Sequence, residues 1–256
     1  MSTKLSVNLN KIALIRNSRD TIIPSVVEAA ITCIDNGAQG ITVHPRPDMR
    51  HIRPSDVFDL AELLSKNEYQ HIEFNIEGNP YAGGEDNGFP GFMELVAEVK
   101  PHQCTLVPDD PSQLTSDHGW NLMGESNRLK PIVDNLQSSN IRVSLFMDPV
   151  DEQIERAAHL GVDRIEFYTG PYADNFGKPN QDIVLASFIK SGLLANNLGL
   201  GINAGHDLNL INLATFCTQV HKVAEVSIGH AIITDALWMG LGTALRKYRE
   251  ILDQIQ

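Results

Sequence analysis

The feature that most constrains the fold is a chain-long alternation of short apolar, β-branched segments with segments of helical periodicity. Each apolar segment has the length and composition of a buried strand. Between them, apolar residues recur at helical spacing; in Ser55–Leu64, for example, Val57, Leu60 and Leu64 would share one helix face. Repeated β–α–β units of this kind predict a parallel sheet. We place the eight strands at Leu5–Asn8, Gly40–His44, Ile72–Ile76, Gln103–Val107, Arg142–Met147, Arg164–Tyr168, Gly199–Asn203 and Glu225–Ile228.

Three helix-to-strand junctions carry a glycine where the helix should stop, at Gly37, Gly161 and Gly199. Glycine accepts the left-handed conformation at such a position without a Cβ penalty. Eight strands in this arrangement favour closure into a barrel. The alternative, an open doubly wound sheet, is disfavoured because no GxGxxG motif follows the first strand. We therefore predict an α/β fold, a single (β/α)₈ TIM barrel with extra helices that spans residues 1–256 as one domain.

Composition narrows the class of partner and compartment. The net charge is −12, from 20 Lys+Arg against 32 Asp+Glu, and no basic run occurs, so we expect neither nucleic acid nor an anionic membrane as a partner. No apolar run is long enough to span a bilayer, and residues 1–7 lack the apolar core of a signal peptide. Cys33, Cys104 and Cys217 are odd in number and widely spaced, which indicates a reducing, cytoplasmic location and no structural zinc site.

Polar residues follow almost every predicted strand. The carboxyl ends of barrel strands meet at one rim, where the active site of such barrels lies. One histidine at a strand end is commonly structural, but several that converge on one rim indicate catalysis. The strand ends, in chain order, are Asn8-Leu9-Asn10-Lys11, His44-Pro45-Arg46 with Arg50 and His51 beyond, Glu73 with Asn75 and Glu77, Pro108-Asp109-Asp110, Asp148, Glu166 with Tyr168, Asn203-Ala204-Gly205-His206 and Gly229-His230.

Among these residues, Glu73 is our candidate for general acid–base chemistry. It lies among apolar neighbours and shares a strand face with Asn75 and Glu77. If its side chain points inward, burial should raise its pKa toward the range that proton transfer requires. The alternative is a structural carboxylate paired with an arginine, and Glu166 is open to the same two interpretations.

Two further features indicate a ligand site rather than a metal site. Gly229-His230-Ala231 follows the last strand, where the N-terminus of the next helix offers free N–H groups to an anion, and Gly205-His206 would complete that site. Long connections at Gly78–Gly91 and Pro108–Ser126 are candidates for binding loops or lids. The alternative is a plain surface insertion, which fits the first connection as well as a binding loop does and the second less well. His206 and His230 lie on different strands without a suitably spaced carboxylate, so we predict no metal.

Blocks along nearly the whole chain resemble the pyridoxine 5′-phosphate synthase family of vitamin B6 biosynthesis. The block from His44 to Ile52 is long and specific. The blocks are Ser6–Ala13, Arg16–Arg19, Gly40–Ile52, Lys100–His102, Leu106–Pro108, Val143–Phe146, Tyr172–Asp174, Asn203–His206 and Ile228–Ile233.

The resemblance implies a barrel that assembles as a homo-octamer and a transferase without a cofactor. Its two phosphorylated substrates would be 1-deoxy-D-xylulose 5-phosphate and 3-amino-2-oxopropyl phosphate, which condense to pyridoxine 5′-phosphate with release of phosphate and water. The resemblance implies His44 and Glu73 as proton acceptors and His206 as proton donor. It implies substrate-binding roles for Asn8, Arg19, Gly229 and His230 toward the aminoketone phosphate, for Arg46, His51 and Thr115 toward the xylulose phosphate, and for Asn10, Lys11 and Asp207 beside them.

The chain departs from the common form of the family at three places. Asn10-Lys11 stands where many members have Asp-His, although a branch shares the Asn-Lys form, and Asp207 stands where many have glycine. A carboxylate beside a phosphate site is unfavourable unless it points away or is neutralised. The loop after the third strand is also longer. Two alternatives remain. The first is a Schiff-base lyase that uses Lys11, which would have to be buried because an exposed lysine has a pKa of about 10.4 and is a weak nucleophile. The second is a catalytically silent phosphate-binding relative.

Overall fold

The computed structural model describes residues 3–19 and 21–255, and its centre is a closed barrel of eight parallel strands. Each strand pairs with the next in the chain, and the eighth pairs back with the first. The predicted barrel is therefore confirmed. Residues 1–2 and 256 lie outside the described residues. They include both ends of the predicted domain and the start of the segment that was examined for a signal peptide. The strands are β1 (Lys4–Asn8), β2 (Gly40–Val43), β3 (Glu73–Gly78), β4 (Gln103–Leu106), β5 (Arg142–Met147), β6 (Arg164–Phe167), β7 (Gly201–Gly205) and β8 (Val223–Ile228).

Helices cover the outside of the barrel, and in the described part of the chain none is both long and apolar enough to cross a membrane. A short 3₁₀ turn, Asn67–Tyr69, precedes β3. The α-helices are α1 (Asn10–Asn17), α2 (Val26–Asp35), α3 (Pro54–Leu64), α4 (Phe92–Val99), α5 (Leu122–Ser138), α6 (Asp151–Leu160), α7 (Gly170–Asn175), α8 (Gln181–Asn197), α9 (Leu213–Gln219), α10 (His230–Met239) and α11 (Leu241–Gln254).

The predicted glycine stops are confirmed. Gly37, Gly161 and Gly199 have φ of +98°, +80° and +83°, in the left-handed region that favours glycine. A fourth glycine divides a segment that the helical pattern predicts as one helix, residues 235–255. Gly240, with φ +81° and ψ 148°, ends α10 and starts α11.

Two strands are shifted toward the carboxyl side of their predicted positions. β3 runs to Gly78 rather than to Ile76, and β7 begins at Gly201 rather than at Gly199. Gly199 still belongs to the end of α8, because its N–H donates to the carbonyl of Asn196. These shifts decide which residues of a strand reach the carboxyl rim.

The interior of the barrel is polar, although interiors of this fold are commonly filled by branched apolar residues. Alternate strand residues point inward and bond to one another; the Thr42 hydroxyl pairs with Ser6 at 2.8 Å, and Thr105 donates to Asn75 at 3.1 Å. The intervening residues, such as Ile41 and Phe74, are buried against the helices. The apolar core therefore lies between sheet and helices, and the barrel axis is available for chemistry.

Candidate active site

A cavity of about 350 Å³ opens at the carboxyl ends of the strands. Its walls come from β1 and the start of α1, from the segments after β2, β4 and β7, and from the start of α10. Eleven of the thirteen predicted site residues line it: Asn8, Asn10, Lys11, His44, Arg46, His51, Thr115, His206, Asp207, Gly229 and His230.

Glu73 does not line the cavity, and its predicted behaviour is wrong. It is the first residue of β3 and lies beside Gly40, the first residue of β2, at the opposite end of the barrel. Its carboxylate pairs with Lys4 and Arg142, which begin β1 and β5. Burial alone would raise the pKa of Glu73, but the ion pairs with Lys4 and Arg142 lower it to about 2. Glu73 is thus the arginine-paired structural carboxylate of the alternative interpretation.

Glu77, four residues further along the same strand face, is the carboxylate that reaches the cavity. It is buried, and among the described residues its carboxylate accepts two long contacts, 3.4 Å each, from the amides of Asn8 and Asn75. Burial, followed by repulsion from Asp109 and Glu225, raises the pKa of Glu77 to about 8. The sequence signal for Glu77 was its place next to Gly78, where the long loop begins.

A second carboxyl group, that of Glu166 on β6, lies at the floor of the cavity. Burial and the neighbouring Glu77 and Glu225 raise its pKa well above the ordinary range. Its Oε2 atom is buried without a hydrogen-bond partner. The interpretation of Glu166 as a member of the site, left open by the sequence, is the one that this geometry supports.

Arg19 also lies outside the cavity. It is exposed, beyond the end of α1, where its N–H contacts the carbonyl of Arg16 at 3.4 Å. Arg50, which the sequence placed just beyond the second strand without a role, lines the cavity instead. Lys11, the residue required by the lyase alternative, is only partly buried at the mouth.

Two histidines of the cavity are held neutral by their environment. Burial, and then the charges of Arg46 and His206, lower the pKa of His44 well below its usual range. Burial and the neighbouring His44 and Arg46 lower the pKa of His51 to about 3. The backbone of His44 is fixed by the Asn10 side chain, whose Oδ1 accepts its N–H at 2.9 Å.

The segment after β4 folds over one side of the cavity and is held by two arginines. Arg46 pairs with the buried Asp109, which also accepts from the Ser116 hydroxyl at 2.8 Å. Arg50 donates to the carbonyls of Pro111, Gln113 and Leu114 at 2.9–3.2 Å. Both guanidinium groups therefore join the wall of the cavity to its covering segment.

His206 stands between two oxygen partners. Its Nε2 lies 2.8 Å from the Thr115 hydroxyl, and its Nδ1 lies 2.6 Å from the Asp207 carboxylate. The rings of Phe146 and Tyr168 pack against it. The Asp207 carboxylate thus accepts a hydrogen bond from the imidazole N–H. A free carboxylate at this place would be unfavourable beside a phosphate.

The opposite wall is suited to an anion. Gly229 immediately precedes α10, whose first turn presents unpaired N–H groups and the positive end of the helix dipole. A Cβ at Gly229 would lie 2.9 Å from the backbone oxygen of Asn8, so only glycine allows this close approach of β1 and β8. His230, exposed at the helix start, lines the same wall.

The cavity therefore has two layers. Cationic and N–H donor groups form its rim, and carboxyl groups with a raised pKa form its floor. Such a site can bind two anionic groups and move protons between them at neutral pH.

Solved structures with the same fold have unrelated sequences. A tryptophan synthase from M. tuberculosis superposes with a TM-score of 0.63 at 10% identity and covers 100% of this chain and 94% of that one. The tryptophan synthase A-subunit of Pyrococcus furiosus gives 0.60 at 10% identity, with 99% and 97% covered. These likenesses support the barrel alone.

Sequence comparison is more specific. A pyridoxine 5′-phosphate synthase from Xylella fastidiosa is 50% identical over 253 residues, 99% of this chain and 96% of the relative. One from Xanthomonas oryzae pv. oryzae is 50% identical over 252 residues, with 98% and 97% covered. The family model described as pyridoxal phosphate biosynthesis protein PdxJ matches residues 5–254. The chain therefore belongs to the PdxJ family.

Proposed function

We propose that this enzyme forms pyridoxine 5′-phosphate from 1-deoxy-D-xylulose 5-phosphate and 3-amino-2-oxopropyl phosphate, with release of phosphate and water. The amine attacks a ketone and water leaves to form an imine. Phosphate then leaves, the ring closes by carbon–carbon bond formation, and loss of a second water makes the ring aromatic. Each step moves a proton, and none transfers electrons to or from a second molecule, so a redox cofactor has no part in it.

The observation that carries the proposal is Glu77 at the floor of the cavity that His44 also lines. A carboxyl group with a pKa of about 8 exchanges a proton readily at physiological pH. We assign to Glu77 the proton-acceptor role expected of Glu73, and we keep His44 as the second acceptor because its neutral ring has a free lone pair. Glu77 and Glu225 add to the effect of burial in raising the pKa of Glu166, so Glu166 belongs to the same group of carboxyl groups.

We assign the proton donor and the phosphate-binding groups to residues in the walls of the cavity. His206 serves as proton donor, oriented by Thr115 and Asp207. Asn8, Gly229, His230 and the first turn of α10 bind the aminoketone phosphate. Arg46 and His51 bind the xylulose phosphate with Thr115 and with Arg50, while Asn10 and Lys11 border both substrates. Arg19 does not line this cavity, so we assign it no phosphate.

Direct product formation tests the proposal. Purified protein is incubated with both substrates, and pyridoxine 5′-phosphate is measured by its absorbance and mass together with released phosphate. We expect product only when both substrates are present. Phosphate release without the pyridine ring, or borohydride trapping of a substrate on Lys11, would favour the lyase alternative instead.

We also propose a cytoplasmic homo-octamer of one-domain subunits. The buried free thiols of Cys33, Cys104 and Cys217 support a reducing compartment. Self-association is supported by large apolar side chains that are more than two-thirds exposed near α1 and on α10, among them Ile22 at 85% and Trp238 at 84%. Sedimentation of the purified protein would measure the subunit number.

A further inference from the structure

One wall of the cavity has no regular secondary structure. Met49, Arg50 and His51 follow a turn at residues 47–48 and belong to neither β2 nor α3. Met49 has a φ of +51°. Arg50 and His51 nevertheless line the cavity. Backbone carbonyls outside helices and sheets need other partners to keep a single conformation. The position of this wall therefore depends on whatever binds its carbonyls.

A single side chain binds three of them. The Nδ2 of Asn17, at the end of α1, lies 3.4 Å from the carbonyl oxygen of Met49, 3.2 Å from that of Arg50 and 2.8 Å from that of His51. Its Oδ1 accepts from Nε of Arg16 at 3.0 Å. Because Nε can only donate, this contact establishes which end of the amide faces the carbonyls.

Arg16 is itself fixed. It is 7% exposed and makes a two-pronged ion pair with Asp56, which is 5% exposed, on the first turn of α3. Its Nη2 also donates to the carbonyl of His51 at 3.3 Å. Asp56 in turn accepts the backbone N–H of Arg53 at 2.8 Å, at the start of that helix. Asp56, Arg16 and Asn17 thus form a clamp that joins α1 and α3 to the wall.

The ring of His51 is oriented by the backbone of the next residue, Ile52. The N–H of Ile52 donates to Nδ1 at 2.9 Å, so Nδ1 is an acceptor and the ring proton resides on Nε2. The lowered pKa of His51 agrees, since a second proton on this ring is disfavoured. His51 is therefore a neutral N–H donor beside Arg46 and Arg50, suited to a phosphate or hydroxyl oxygen.

We propose that Asn17 is a positioning residue of the synthase: its amide fixes the backbone of residues 49–51 and thereby holds the Nε2–H of His51 and the Arg50 guanidinium toward the substrate bound at that wall. The proposal rests on the proposed function in taking that substrate to be the xylulose phosphate. Asn17 itself touches no substrate, since it does not line the cavity.

Asn17→Asp tests the proposal, because it keeps the oxygen that accepts from Arg16 and removes the donor to three carbonyls. The matched control is Asn196→Asp, since the Asn196 amide also donates to backbone carbonyls, those of Gly192 and His221, but outside the cavity. In N17D we expect the KM for the xylulose phosphate to rise about tenfold, with the KM for the aminoketone phosphate unchanged. N196D should leave both KM values unchanged. Asn17→Gln, which restores an amide donor, should recover part of the affinity.

An unchanged xylulose phosphate KM in folded N17D would overturn the positioning role. A wild-type enzyme that forms no product would contradict the proposed function instead. A second readout needs no variant: the nitrogen chemical shifts of His51 in the wild-type protein, followed by NMR, should show Nε2 protonated and Nδ1 unprotonated between pH 6 and 8, a window set by the ordinary histidine pKa of about 6.5. A protonated Nδ1 would contradict the proposal even if no Asn17 variant folds.

Discussion

At the scale of single residues, two glutamates of one strand face behave in opposite ways. Glu73 and Glu77 are one chemical type on the same strand, yet the pKa of the first is lowered to about 2 and that of the second is raised to about 8. The difference follows from their partners, because Glu73 has two cations within ion-pair distance while Glu77 faces carboxylates and weak amide contacts. Burial without a cation is what makes a carboxyl group useful as a base.

We therefore expect Glu77→Gln to abolish synthesis and Glu73→Gln to preserve it. E77Q should lower kcat at least about 100-fold, the usual contribution of a general acid or base, because an amide cannot take up the proton. E73Q, the matched substitution on the same face, removes the ion pairs with Lys4 and Arg142, about 13 Å along the strand at about 3.3 Å per residue. It should keep kcat within about threefold of wild type. Steady-state rates of product formation compare them, and equal losses in both variants would refute the assignment.

A second prediction concerns Asp207, where the chain departs from the common form of the family. Its carboxylate lies 2.6 Å from Nδ1 of His206 and leaves Nε2 toward Thr115. Asp207→Asn can present an N–H to the ring and so permit the wrong tautomer. We expect kcat to fall at least about tenfold, with a smaller change in either KM.

The control for Asp207 is another adjacent pair of the same kind. The Asp117 carboxylate lies 2.6 Å from Nδ1 of His118, outside the cavity. Asp117→Asn should leave kcat unchanged. If D207N retained the wild-type kcat, Asp207 would have no orienting role.

Most of the rim was predictable from the sequence, and the exceptions have physical reasons. Residues that directly follow a strand, such as His44 and His206, must lie at the carboxyl rim once the fold is known. Within a strand, alternation defines the face but not the depth, so Glu73 and Glu77 could not be separated without the register of β3. Arg19 follows a helix, α1, that the periodicity did not predict, and its position could not be inferred from strand order.

At the scale of elements, the segment after β4 is held by the side chains of two arginines, Arg46 and Arg50, rather than by helix or strand hydrogen bonds. Residues 107–121 contain neither helix nor strand, and Arg50 donates to three of its carbonyls. Thr115 in this segment contacts His206. The covering segment therefore links Arg50 to His206 through Thr115.

Arg50→Lys should loosen this segment while it preserves the charge. A lysine ammonium cannot span three carbonyls as the planar guanidinium does. We expect faster proteolytic cleavage within residues 109–118 and a KM for the xylulose phosphate raised about tenfold. Arg156→Lys, at an exposed ion pair on α6, serves as control. Unchanged cleavage in R50K would show that other contacts hold the segment.

Periodicity in the sequence predicts some boundaries of helices and strands correctly and misses others. β5 has the predicted bounds, since its apolar run ends at polar residues on both sides. The segment 235–255 was predicted as one helix because its apolar spacing continues through Gly240; only the positive φ of that glycine reveals the break. Tertiary position, not local pattern, determines such breaks.

At the scale of the whole molecule, the barrel axis carries carboxyl groups in a chain that is already acidic. Glu77, Glu166 and Glu225 point into the interior and are buried. Burial raises the pKa of Glu225 to about 7, against the opposing effect of Arg164. An interior of this kind is retained at a cost in stability that depends on pH. It follows that the carboxyl groups of the cavity floor and the stability of the fold are linked through the same protons.

Glu77→Gln should therefore change the pH dependence of unfolding in a definite direction. A carboxyl group whose pKa is higher in the folded state binds protons more tightly there, so it stabilises the fold at low pH and this stabilisation is lost as pH rises. For Glu77 the loss falls between an unfolded pKa of about 4.3 and the folded value of about 8. Each pKa unit corresponds to about 1.4 kcal/mol, so the free energy of unfolding of wild type should fall relative to that of E77Q between pH 5 and pH 8.5.

Urea unfolding of both proteins at those two pH values measures the difference. Titration of surface groups and the net charge of −12 affect both proteins alike, so subtraction leaves the contribution of Glu77. Glu73→Gln, compared in the same way, should show no fall across this window, because a pKa lowered to about 2 places its titration below pH 5. Parallel pH profiles for wild type and E77Q would mean that Glu77 is ionised at neutral pH in the folded protein, and Glu77 would then need a cationic partner in the cavity to remain buried.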